Sequence, residues 1–193
     1  MWWLAMPINP VKRSIKAQAV AEHAFREAIP QVDKGAVSRL EPGQIEMIPI
    51  YSISARNLVA GRWNRGWRSG WRYIWTHRNL TVGITVEVRR DERNDAHLAS
   101  VSIGRSAPAL SKELAKVSRK MKNDKNRYRP RILRLPWISM EAIWLNTDEL
   151  EIPDCFINRG GGPQGDKFRA EAERRAQYFL DAYKLIEKAV NSK

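Results

Sequence analysis

The 193-residue sequence predicts a single α+β domain, a mostly antiparallel sheet of five or six strands flanked by about three helices. Three patterns point there. Between Trp71 and Gly104, apolar and polar residues alternate in short runs separated by turn-forming residues, the period of a meander with one buried face. Elsewhere, three stretches carry apolar residues three and four apart, the period of a helix face. A content of 43% hydrophobic and 28% charged residues suits one folded core spanning residues 1–193.

In chain order, residues 1–9 are an apolar segment that includes Trp2, Trp3 and Leu4. Asn9 and Pro10 read as the cap and first residue of a helix ending near Ile29, before Pro30. Its apolar positions are Val11, Ile15, Val20, Ala24, Phe25, Ala28 and Ile29. Residues 31–44, with Gly35, Pro42 and Gly43, read as a loop. Met47 to Ile53 reads as a strand whose Pro49 favours an edge or irregular position. Ser54 is placed to cap a short helical turn that ends at Gly61.

Trp63, Trp67, Trp71 and Trp75 follow at four-residue spacing. That spacing suits one face of a helix or of a strand. Gly61, Gly66 and Gly70 argue against a continuous helix, so 61–70 reads as a loop and 71–78 as a strand. In the strand, Trp71, Tyr73, Trp75 and His77 share one face, and Arg72, Ile74, Thr76 and Arg78 the other. Leu80–Arg89 and His97–Gly104 complete the meander. Leu110, Leu114, Val117 and Met121 mark an amphipathic helix over about 108–122. Arg131 to Asn146 reads as one long strand or as two broken at Pro136, and Leu150 to Ile157 as a short further strand. A glycine-rich loop at 158–165 precedes the last helix, whose stripe is Phe168, Ala172, Ala176, Phe179, Tyr183, Ile186 and Val190.

The formal net charge of +13 is uneven along the chain. Residues 47–86 hold six arginines and no acid, and residues 112–134 hold ten lysines and arginines against Glu113 and Asp124. These two segments account for the whole excess. Such a surface attracts polyanions, and arginine interleaved with aromatic rings suits a phosphate backbone with stackable bases. The candidate binding residues are Arg62, Trp63, Arg65, Trp67, Arg68 and Arg72 in the first segment. In the second they are Lys116, Arg119, Lys120, Lys122, Lys125, Arg127, Tyr128 and Arg129. Trp63 and Trp67 are the indoles expected to be most exposed. One face would form if the two segments adjoin in space.

Catalytic signals are weak. His77 and His97 would be cross-strand neighbours beside Glu87 if the meander pairs as read, but the spacings match no metal-ligand signature. Glu87, Asp91, Glu92 and Asp95 cluster at one hairpin without the lysine that a metal-dependent nuclease would add. The glycine-rich loop lacks the Gly-Lys-Ser/Thr ending of a P-loop. Cys155 is the one cysteine, so neither an internal disulfide nor a thiolate zinc finger can form. The sequence thus assigns no catalytic residue, no metal site and no cofactor. No stretch approaches the ~20 apolar residues of a membrane span, and a cytoplasmic protein is expected.

Ile48-Pro49-Ile50-Tyr51, Leu58-Val59-Ala60-Gly61 and Gly70-Trp71-Arg72-Tyr73 form one group of motifs. Pro130-Arg131-Ile132-Leu133-Arg134-Leu135-Pro136, Glu141-Ala142-Ile143-Trp144-Leu145 and Ile152-Pro153 form another. Together, over roughly residues 45–157, they resemble a set of small uncharacterised bacterial proteins. Those proteins pair a Gly-Trp-Arg-Tyr strand with a later Pro-Arg-x-Leu-x-Ile/Leu-Pro segment ending in Ala-Ile/Leu-Trp-Leu. The resemblance brings no activity. It implies that Trp71 and Trp144 are framework residues and that Trp63, Trp67, Trp75 and much of the basic excess are particular to this chain.

The expected function is a non-enzymatic basic binding module with nucleic acid as the favoured partner. The alternative is a protein–protein or assembly component of a bacterial complex, with an acidic protein as partner or with Trp2-Trp3-Leu4 as an oligomer contact. A metal-dependent nuclease is the third reading.

Overall fold

The computed structural model describes residues 15–29, 45–77, 80–88, 96–103, 106–121, 129–146, 155–158 and 165–191. The protein is an α+β fold. In order, its elements are α1 (Ile15–Ala28), β1 (Ile45–Ser52), α2 (Ala55–Val59), a 3₁₀ turn (Trp63–Arg65), β2 (Trp67–His77), β3 (Leu80–Val88) and β4 (Ala96–Ile103). Then come α3 (Ser106–Met121), β5 (Arg129–Leu135), a second 3₁₀ turn (Pro136–Ile138), β6 (Met140–Asn146), β7 (Cys155–Asn158) and α4 (Gly165–Asn191). The sheet has the order β4-β3-β2-β1-β5-β6-β7, and the β2–β3, β3–β4 and β6–β7 pairs are antiparallel. Pro49 therefore lies in an interior strand rather than at an edge. Among the described residues no helix is long and apolar enough to cross a membrane.

The chain divides into two compact units. One holds the described residues up to Ile50 together with the described residues of 68–130, and the other holds 51–67 and the described residues from Arg131 onward.

In the first unit the expected meander forms, with Trp71 opposite Val86, Tyr73 opposite Ile84 and Trp75 opposite Val82. These six side chains share one sheet face and are buried against Ala17, Ala21, Ala24, Phe25 and Ala28 of α1. The buried face of α1 is thus mostly alanine, and Ile15, expected on the apolar stripe, is 85% exposed. Small side chains on the helix let it sit close over large rings on the sheet, which is how facing layers fill space. Helix α3 packs over β3 and β4, with Leu110 and Leu114 buried.

Strand β2 starts at Trp67, four residues earlier than expected. Gly70, which argued against a helix and falls in the expected 61–70 loop, is a strand residue. A Cβ there would strike the Val86 carbonyl oxygen of β3, so the glycine permits a close approach of two backbones.

In the second unit the core gathers Ile53, Leu58, Trp63, Leu133, Leu135, Trp144, Phe168, Ala172 and Ala176 among others. The break expected at Pro136 is a 3₁₀ turn, closed by Ser139 in the left-handed region at φ 52°. The Ser139 N–H donates to the Pro136 carbonyl at 3.2 Å. The strand expected over 150–157 is described as Cys155–Asn158. The N-terminal segment, the first turn of the first expected helix, the 31–44 loop and most of the glycine-rich loop lie outside the described residues.

Candidate functional site

The approach to Trp63 is set by local chemistry. The Ser54 hydroxyl accepts from the Asn57 N–H at 3.3 Å and caps α2, as the sequence predicts. Gly61, at φ 65°, then turns the chain through a left-handed conformation that side chains resist. The Arg65 N–H donates to the Arg62 carbonyl at 3.1 Å and closes the 3₁₀ turn.

The turn drives its indole inward. Trp63 is 7% exposed, its Nε1–H donates to Glu173 Oε1 at 2.7 Å, and the Arg169 guanidinium lies 5.6 Å from its ring centroid. The expected exposed platform is therefore an anchor that fastens the first half of α4. Arg62 and Arg65, on either side of it, are exposed.

Trp67, at the end of the second unit's 51–67 segment, is half-buried, while in the first unit Trp71 and Trp75 are fully buried. Arg68 is exposed and its guanidinium lies 4.7 Å from the Trp71 ring centroid. Arg72 is half-buried, and its Nε–H donates to Thr85 Oγ1 at 3.2 Å across the β2–β3 pair. On α3, Lys112, Lys116 and Arg119 are exposed. Their spacing of four and three lines them up on one helix face.

The backbones at Lys120 and Arg129 belong to α3 and β5, whereas Lys122, Lys125, Arg127 and Tyr128 lie outside the described residues. The structure thus assembles two small basic groups, Arg62 with Arg65 in one unit and the α3 row in the other. Lys112, counted in the charge but not singled out as a site residue, belongs to that row. Its position four residues before Lys116 was the available signal.

Not every cation is free to meet an anion. Glu171 accepts from Arg174 and Arg175, with the Arg175 Nε at 2.6 Å. These hydrogen bonds hold the Glu171 carboxyl down at about 2. Arg131 stacks 4.6 Å from the Tyr51 ring centroid and 5.3 Å from that of Trp144. Arg62, Arg65, Arg68, Lys112 and Lys116 form no ion pair with another described residue.

The expected histidine pair does not form. His97 sits opposite Glu87, whereas His77 sits opposite Leu80 at the far end of β3. What remains is His97 Nε2 at 3.7 Å from Glu87 Oε2, both about two-fifths exposed at the side chain. Asp91, Glu92 and Asp95 lie outside the described residues. Among the described residues no group of three His, Cys, Asp or Glu side chains converges as a metal site would require.

Comparison with protein-family models, with curated proteins and with solved structures finds no match to this chain.

Proposed function

We propose that the protein is a non-enzymatic module that binds polyanions, with nucleic acid as the favoured partner. The observation that carries this reading is the set of exposed cations Arg62, Arg65, Arg68, Lys112 and Lys116, none ion-paired to another described residue, in a chain of net charge +13. Cations presented in this way displace condensed counterions from a phosphate backbone, and that release drives association. Burial of Trp63, Trp71 and Trp75 leaves Trp67 as the described indole of the series with ring surface to offer. Backbone charge therefore outweighs base stacking, and sequence preference is weak.

The test is fluorescence anisotropy with labelled single- and double-stranded DNA and RNA across a salt series. Affinity that falls steeply with salt supports the reading. Absent binding at low salt, or binding indifferent to salt, removes it.

A further inference from the structure

Helix α4 is 27 residues long, and its apolar stripe changes surroundings midway. Phe168, Ala172 and Ala176 are buried. Beyond them, Phe179 still touches Trp137, at 5.4 Å between ring centroids. Further along, Tyr183 is 57%, Ile186 63% and Val190 67% exposed. Tyr178 and Leu185 are exposed as well, at 77% and 68%. At ~100° per residue, all six rings and aliphatic chains fall within half of the helix circumference. Asp181, Lys184, Glu187 and Lys188 occupy the other half.

We propose that this distal half of α4 pairs with the same segment of a second copy of the chain, antiparallel about a two-fold axis. Charge selects the occupant. The polar half carries two acids and two bases, so the segment is locally neutral in a chain of net charge +13. It is a surface on which two copies can approach without repulsion. An anionic membrane is a poorer match, because helices that lie on such membranes carry a lysine- and arginine-rich polar face. An acidic partner would be drawn to the cationic segments instead.

Charge also selects the direction. Antiparallel pairing puts the packed first halves of the two α4 helices at opposite ends of the helix pair and aligns the helix dipoles favourably. A two-fold contact needs a self-complementary patch, and a segment apolar from Tyr178 to Val190 supplies one with its midpoint near Lys184.

The test is sedimentation velocity of the full chain over a concentration series at high salt, where polyanion binding is screened. The expected mass rises from one chain of 22.3 kDa towards two. Leu185→Glu with Ile186→Glu should weaken the dimer about tenfold or more and, at the dilute end of the series where both proteins are monomers, leave the circular dichroism melt unchanged, since both side chains are exposed in the single chain. Direction is read by disulfide trapping in a Cys155→Ser background. Ile186→Cys, close to the axis, should cross-link to itself, and Val190→Cys, about 18 Å from its counterpart, should not. A monomer at every concentration overturns the proposal, as does a dimer that survives the double glutamate variant. So does a dimer lost on removal of residues 1–9, or self-cross-linking at both cysteine positions.

Discussion

Burial in β1 pushes the carboxyl of Glu46 from 4.5 up to about 7. The folded protein therefore holds this proton more tightly than the unfolded chain does. Below pH 4.5 both states are protonated and nothing is lost. Between there and pH 7 the unfolded chain ionises first, and stability falls as pH rises. Glu46→Gln should melt with wild type in acid and above it at pH 8, by up to ~3 kcal/mol. Melting curves at several pH values check this, and a constant gap between the two proteins would rule it out. Trp63 makes a different prediction. Trp63→Phe keeps a ring but removes the donor to Glu173, so stability should drop by ~1–3 kcal/mol while affinity for nucleic acid stays unchanged. An affinity loss without a stability loss would restore the ring to the binding surface. The direction of this indole was not legible from sequence, because four-residue spacing fixes a shared face without saying which side that face meets.

Among the elements, β2 shows what a local rule can and cannot see. Glycine lowers the propensity of a strand, so Gly70 reads as a loop residue until the neighbouring strand is in place. With β3 present, the missing Cβ is the condition for pairing. Gly70→Ala should therefore cost about 1–3 kcal/mol in a denaturant titration. Gly61→Ala, with open space around the new methyl group, should cost only about 1 kcal/mol, from its left-handed backbone. Equal costs would mean that contact with Val86 does not govern the site. Legibility follows the same division. The meander, the Ser54 cap, the Pro136 break and both later helices rest on periodicity or capping within a few residues, and they were readable. On the alanine face of α1, Ala24 and Ala28 were readable but Ala17 and Ala21 were not, because alanine gives little hydropathy signal and its use depends on the rings of β2 across the interface. The interior place of β1 was likewise hidden, since strand order depends on pairings distant in sequence.

For the whole molecule, charge is the property that the sequence states and the fold edits. The sequence supplies +13 but does not say which cations are occupied. Glu171 occupies Arg174 and Arg175, and two aromatic rings occupy Arg131, while the α3 row and the Arg62–Arg65 turn stay exposed. If binding works by counterion release, each phosphate contact contributes ~0.7–0.9 to the slope of log affinity against log salt. Replacing Lys112, Lys116 and Arg119 with alanine should then lower the slope by about 2–3 if all three touch phosphate. Arg62→Ala with Arg65→Ala should lower it by about 1–2 on the same terms. Additive losses would mean that both units hold the same nucleic acid strand. If one set carries the whole loss, the interface belongs to that unit. An unchanged slope in both variants would move the contact to the remaining cations, and the excess charge on these two surfaces would then act on solubility alone.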